Sequence, residues 1–363
     1  MSLLFSPLKI GPMIIKNRFM RSPTYESLAN PDGTPKPRLL RMVEKLAEGD
    51  VGLIVPGYVY PMEGAKAAPR QSALYNQKHA DSWKSTIDKV HKFGSKIIFQ
   101  ICHGGVDVIS GLEKKTPSPL PGKSEALTIS EIEDIINSFY KSSMLAKSCG
   151  ADGIQFHSAH GYLLSTFLSP LFNRREDKYG GTIEGRSRII SEMSEAIRKG
   201  AGPDFSISIK LNGNDFLPFG TTPEIASEYV HHLKSKIDMF EISCGICNHT
   251  CTIRPKNVGF INRFIYGFKF EEGYNLKLAE YIKRKNPDTV IASVGGFKTV
   301  KFMEETMVKN KADIISLCRP FIREPDLVKK IFEKKVTQSE CKHCNHCLFH
   351  LEENDHGVMC DYP

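Results

Sequence analysis

The sequence predicts a closed (β/α)₈ TIM barrel, and three observations predict it. Eight short apolar runs alternate with longer amphipathic ones over about 330 of the 363 residues. Most of the short runs, such as DVGLIVPG, KIIFQI, ADGIQF and DIISL, are apolar or small at nearly every position, as parallel strands covered on both faces are. Nothing after the first run resembles the GxGxxG turn that would favour an open, doubly wound dinucleotide sheet. The length accommodates such a barrel as one domain.

The strands are expected, in order, at 17–23, 51–57, 96–102, 152–157, 205–211, 238–243, 289–294 and 312–318. Helical patterns fill the intervals. After the third strand the stripe Ile132, Ile135, Ile136, Phe139 marks one apolar face, and Ser130 with Glu133 three residues later reads as its capping box. After the fifth strand Thr222-Pro223 reads as an N-cap followed by proline at the first helical position. After the seventh, Gly295-Gly296 is expected to open a helix at Phe297, and Arg319 follows the eighth, IISLC. The barrel is expected to occupy residues 1–335. Residues 336–363, rich in Cys and His, form an extension too small to be a domain.

Composition narrows the function classes. The chain is 40% hydrophobic and 25% charged, ordinary for a water-soluble globular protein. No apolar run approaches the roughly 20 residues of a membrane helix. The opening MSLLFSPLKIGPM has no basic region followed by an apolar stretch, so no secretory leader is read there. The expectation is a cytoplasmic protein without membrane or nucleic-acid partners, acting on a small molecule. Its net charge of +8 is spread along the chain, which suits anionic ligands such as phosphates. Monomer and homo-oligomer both stay open.

Active sites of such barrels lie at the carboxyl ends of the strands. Here those ends carry Ser22-Pro23-Thr24, Gly57, Gln100 with His103, His157 with His160 and Tyr162, Lys210 with Asn212, Ser243, Gly295-Gly296, and Arg319. Two imidazoles and a phenol past one buried strand can converge on one ligand, the histidines donating hydrogen bonds to an oxygen and the phenol giving up a proton. Glycines after the seventh strand and an arginine after the eighth suit a phosphate cradle.

The segments NRFMRSPT at 17–24, GLIVPG at 52–57, FQICHGG at 99–105, HSAHGYLLSTFLSPLFNRREDKYGG at 157–181 and SLCRPFIREPDL at 316–327 together resemble the Old Yellow Enzyme family of FMN barrels, from about Leu4 to Leu327. The resemblance implies an NAD(P)H-dependent ene-reductase. Ser22, Pro23, Thr24, Gly57, Gln100, Lys210, Gly295, Gly296 and Arg319 correspond to the FMN shell, with Lys210 beside the N1/O2 edge of the ring. His157 and His160 correspond to the pair that grips the substrate's electron-withdrawing group, and Tyr162 to the proton donor. Three positions depart from the family: Lys210 stands where many members carry Arg, IEGR at 183–186 lacks the usual Asn, and Tyr25 replaces a Cys or Thr that tunes the flavin.

Cysteines supply the last motif. Cys341-x₂-Cys344-x₂-Cys347-x₁₂-Cys360 has ligand-like spacing, open to a [4Fe–4S] cluster, to zinc with help from His343, His346 or His350, or to free thiols. The segment is similar to the cluster segment of two larger relatives, bacterial 2,4-dienoyl-CoA reductase and trimethylamine dehydrogenase, in which further flavin or nucleotide domains follow the barrel. No such domain is read after Pro363. Cys244, Cys247 and Cys251 read as ordinary loop thiols, and His249 resembles a loop histidine of the dienoyl-CoA reductase that assists protonation. The leading expectation is therefore reduction of an activated C=C bond by NADH or NADPH through FMN. The rivals are an amine or ether dehydrogenase passing electrons out through a cluster, and an electron-transfer module that docks through its Cys-rich segment.

Overall fold

The structure, a computed structural model, describes residues 2–109, 111–246, 270–348, 351 and 357–362. Eight parallel strands form one closed barrel: β1 (Phe19–Arg21), β2 (Leu53–Ile54), β3 (Lys96–Ile101), β4 (Gly153–Ser158), β5 (Ser206–Asn212), β6 (Met239–Ser243), β7 (Ile291–Val294) and β8 (Ile314–Leu317). Each strand pairs with the next in sequence. Closure comes from β8 against β1, with Ile315 opposite Phe19 and Leu317 opposite Arg21. All eight expected strands are present.

Burial on both faces explains their apolar character. β4 and β5 are buried at every residue. Outward-facing side chains join the main core with the surrounding helices, where Trp83 meets Phe99 edge-on at 5.1 Å between ring centroids. Inward-facing Met20, Leu53, Ile98, Met239, Ala292 and Ile314 fill the amino-terminal half of the barrel. A two-stranded hairpin, Leu8–Ile10 paired with Met13–Ile15, inserts Ile10, Met13 and Ile15 into that cluster and closes this end. The hairpin was not among the expected elements, because three-residue strands are too short to show a period of two.

The helices are α1 (Pro37–Glu48), α2 (Gln77–Lys92), α3 (Ile129–Ser148), α4 (Leu163–Leu168), α5 (Ile183–Ala201), α6 (Pro223–Leu233), α7 (Leu276–Lys285), α8 (Val300–Val308), α9 (Arg319–Arg323) and α10 (Leu327–Phe332). Two helix starts differ from expectation. The capping box of α3 is Thr128 with Glu131, not Ser130 with Glu133; the Thr128 side chain accepts from Glu131 N and the Glu131 carboxylate accepts from Thr128 N. Both pairs fit the same pattern, and the earlier one is used. α8 starts at Val300 rather than Phe297, because the Glu272 carboxylate accepts from the backbone N–H of Lys298 and Thr299 and holds them as a loop. Thr222 and Pro223 open α6 as expected.

The segment after α10 lies across the carboxyl-terminal end of the barrel. Gln338 bridges to Thr299, Ser339 and Glu340 donate to the buried Glu324 carboxylate at 2.6 and 2.7 Å, and Val358 N donates to Glu26 O at 2.8 Å. Among the described residues no helix is long and apolar enough to cross a membrane.

Candidate active site

A cavity of about 340 Å³ opens among the carboxyl ends of the strands. Ser22, Pro23 and Thr24 after β1, His157, His160 and Tyr162 from β4 onward, Lys210 on β5, Gly295 and Gly296 after β7 and Arg319 after β8 all line it. Gly57 and Gln100 do not. The Gly57 N–H donates to Glu26 Oε1 at 2.7 Å, and a Cβ there would sit 1.8 Å from Glu26 Oε2, so this glycine makes room for a buried carboxyl group. Gln100 lies a layer deeper and donates its amide to Gln155 Oε1 at 2.7 Å. His249, Cys247, Cys251 and His350 lie outside the described residues.

His157 is the penultimate residue of β4, and the turn after the strand carries His160 and Tyr162. The imidazole centroids are 5.2 Å apart, and the Tyr162 ring stands 4.8 Å from His157. His160 is held at φ +65, a conformation uncommon for a residue with a side chain. Asn212 at the end of β5 secures it: its Oδ1 accepts from His160 N at 3.2 Å, while its Nδ2 donates to Asp215 and to Gly245 O. His160 Nε2 is bonded to Ser243 Oγ at 2.7 Å, and His157 Nδ1 accepts from Ala159 N at 3.4 Å. Burial, reinforced by the positive charge of Lys210, pushes His160 down to about 3 and His157 well below the ordinary imidazole value. Both are therefore neutral near pH 7 and act as N–H donors, not as cations.

Two aromatic neighbours, Tyr58 and Tyr274, were not singled out in the sequence, whereas Tyr25 was, as a departure from the family pattern. The Tyr162 hydroxyl donates to Tyr58 Oη at 3.2 Å, Tyr25 lies 6.0 Å beyond Tyr58 between ring centroids, and Tyr274 also lines the cavity. Tyr58 directly follows Gly57 at the end of a predicted strand, so its position was a readable signal. The floor is a polar layer inside the barrel. Lys210 Nζ donates to Ser22 Oγ at 2.8 Å, and Ser22 and Ser316 donate to Glu241 Oε1 at 2.7 and 2.8 Å. Gln155 donates to Glu241 Oε2 at 3.1 Å.

The donor set suits a planar, anionic, heteroatom-rich ligand. It comprises the basic side chains of Lys210 and Arg319, the Thr24 hydroxyl, and backbone at Gly295 and Gly296. Gly295 has φ +124, and a Cβ there would stand 2.5 Å from the Tyr274 ring, so only glycine lets this backbone border the cavity.

A second cavity of about 20 Å³ is lined by Cys341, Cys344, Cys347 and Cys360 together, with Arg319, His343 and Asn345 shared between it and the larger cavity. The Arg319 guanidinium donates to Asn345 Oδ1 at 2.6 Å, and Arg323 donates to Cys360 Sγ at 3.8 Å. Burial pushes the Cys347 thiol up to about 12. Among the described residues, no three Cys, His, Asp or Glu side chains converge as ligands of a single metal ion. Both ring nitrogens of His343 are buried and have no hydrogen-bond partner among the described residues.

Comparison with known proteins agrees with this geometry. The profile of the NADH:flavin oxidoreductase / NADH oxidase family matches residues 3–338. The NADH oxidase of Thermoanaerobacter brockii is 33% identical over 357 residues, covering 95% of this chain and 52% of that protein. A solved complex of 2-naphthoyl-CoA reductase superposes with a TM-score of 0.83 at 26% identity, covering 95% of this chain and 54% of that one. The chain thus spans about half the length of these two relatives. An Old Yellow Enzyme homologue from Zymomonas mobilis shares the fold, with a TM-score of 0.75 at 23% identity, covering 94% of this chain and 95% of that one.

Proposed function

The chain belongs to the NADH:flavin oxidoreductase / NADH oxidase family, and from that premise we propose that it reduces an activated C=C bond, in an α,β-unsaturated carbonyl compound or a related substrate. FMN is its cofactor, with NADH or NADPH as electron donor. When bound, FMN accepts hydride from the nicotinamide and delivers it to carbon. Ser22, Pro23, Thr24, Lys210, Gly295, Gly296 and Arg319 would hold it, with Gly57 and Gln100 in the layer behind.

One observation carries the reading: His157, His160 and Tyr162 stand together on one wall of the cavity, two neutral N–H donors beside a phenol. The histidines donate to the oxygen of the activating group, His160 exchanging Ser243 Oγ for it. Charge that builds on this oxygen is thereby stabilised by dipoles already in place. Tyr162 gives its phenolic proton to the α-carbon, and His249 is proposed as a second proton donor. The likeness to a 2-naphthoyl-CoA reductase supports an acyl thioester as the first activated substrate to test.

A second reading is an amine or ether dehydrogenase or an electron-transfer flavoprotein, with electrons leaving through a [4Fe–4S] cluster on Cys341, Cys344, Cys347 and Cys360. It is favoured by four thiols around one cavity whose wall is shared with the main site. A cluster separates its thiolates more widely than a single zinc ion does, which matches a set that does not converge on one point. Residues 336–363 would then be a cofactor-bearing extension of the barrel at 1–335.

The test is anaerobic turnover of purified protein with NAD(P)H and an enone or enoyl thioester, against turnover with an amine and an artificial acceptor. Acid release should yield FMN near one per chain. Recovery of FAD, or of no flavin after reconstitution, would sink the first reading, and amine oxidation without alkene reduction would replace it with the second.

A further inference from the structure

Glu241 is fully buried in the middle of β6, inside the barrel, one layer behind the cavity that Lys210, Ser22 and Ser316 line. Every partner it has there is a donor: two serine hydroxyls, the Gln155 amide, and the Lys210 ammonium at 3.5 Å. Ser22 is pinned between the two charges, accepting from Lys210 and donating to Glu241. A buried Lys–Glu pair gives little net stability compared with apolar side chains of the same volume, because desolvating both ions offsets their attraction. A pair of this kind at the floor of a cofactor cavity calls for a functional account.

We propose that Glu241 is a positioning residue that sets the reduction potential of the bound flavin, by holding Lys210 at the cavity floor and offsetting its charge. The inference rests on the proposed placement of Lys210 in the FMN shell. A cation beside a flavin ring that gains negative charge on reduction favours the reduced form. A carboxylate behind that cation works against it. The pair therefore presents the flavin with less positive field than lysine alone, and Gln155, Ser22 and Ser316 hold the carboxylate so that it cannot turn away.

The experiment is a spectroelectrochemical titration of the FMN-loaded protein and its variants, with FMN content measured on each. Glu241→Gln keeps the shape and removes the charge. Its reduced flavin should bind at least ten-fold more tightly relative to oxidised flavin than in the wild type, a rise of about 30 mV for a two-electron couple. Lys210→Met should shift the potential the other way, and the double variant should fall between the two. Glu241→Gln protein with full FMN and an unchanged potential overturns the proposal. If Glu241→Gln alone does not fold, thermal unfolding of flavin-free protein decides. The double variant should then be more stable than Lys210→Met, which leaves a buried carboxylate unpaired, and equal or lower stability overturns the pairing. Wild-type protein that takes up no FMN fails the cofactor reading itself, and FMN content tells that failure from this one.

Discussion

Buried histidines make the site sensitive to acid in a direction that can be worked out. His103, His157 and His160 all titrate below the free imidazole value because burial penalises the charged ring, His103 near 4 and His160 near 3. The unfolded chain therefore binds more protons than the folded one between the unfolded imidazole range and these lowered values. Stability is fully present above about pH 6.5 and is lost as pH falls through that window. Replacing His157 and His160 by Asn should flatten this loss in denaturant titrations at pH 4 to 7; an equally steep loss would mean that the acid sensitivity lies elsewhere. Neutral donors also bear on binding. Phenolates mimic an enolate oxygen, and each of His157→Ala and His160→Ala should weaken phenolate binding about ten-fold or more, since a hydrogen bond to an anion is worth roughly 1.5–3 kcal/mol. Affinity read from the charge-transfer band decides, and an unaltered value in both would show that the pair points elsewhere. Tyr162→Phe separates the half-reactions. Flavin reduction should stay nearly intact while alkene reduction slows by roughly 10²–10⁴-fold, or far less until His249 is changed too. The reverse pattern in stopped-flow traces would remove Tyr162 as the acid.

Elements were legible wherever burial writes a pattern. The eight strands stood out because helices cover one face of each and the barrel interior the other, which leaves few positions for polar residues. The same logic hid Glu241: a charge in an apolar strand is visible, but its convergence with Lys210 and with Ser316 across the barrel is encoded in no local spacing. The histidine pair and Tyr162 were readable because one strand end carries all three, whereas Asn345 reaches the site from the Cys-rich extension, far from any strand end. Helix starts were ambiguous where two residues satisfy one rule, as Thr128 and Ser130 do. Thr128→Ala should cost about 1 kcal/mol, the usual value of an N-cap, and Ser130→Ala only a few tenths. Equal costs in urea unfolding would return the cap to Ser130. The Cys-rich segment has little apolar content and is tied down through Val358, Ser339 and Asn345. If its thiols hold a cluster, Cys344→Ser should abolish about four irons and four sulfides per chain and leave the segment open to protease. Metal-free wild-type protein with four titratable thiols and a protease-resistant segment would defeat that version.

On the scale of the whole molecule, the cavity proposed for the flavin draws on residues from Ser22 to Leu351, so a ligand there couples strands that are distant in sequence. Binding to the folded state alone should stabilise it by about 2.7 kcal/mol at a hundred-fold excess of FMN over its Kd. Thermal unfolding midpoints should climb with added FMN and stay put with riboflavin far below its own Kd; an FMN-independent midpoint in flavin-free protein would place the cofactor elsewhere. The closure of β8 onto β1 and the bond from Val358 to Glu26 have a further consequence. Partners in these contacts are separated by nearly 300 residues or more, so a ribosome must pass Leu317 before the first strand finds its second neighbour. A nascent chain arrested in the middle of translation would expose β1 and the loop after it with their partners still unmade. Loading of the cofactor should therefore wait until β8 has been made, and translation products truncated before Ile314 should emerge colourless.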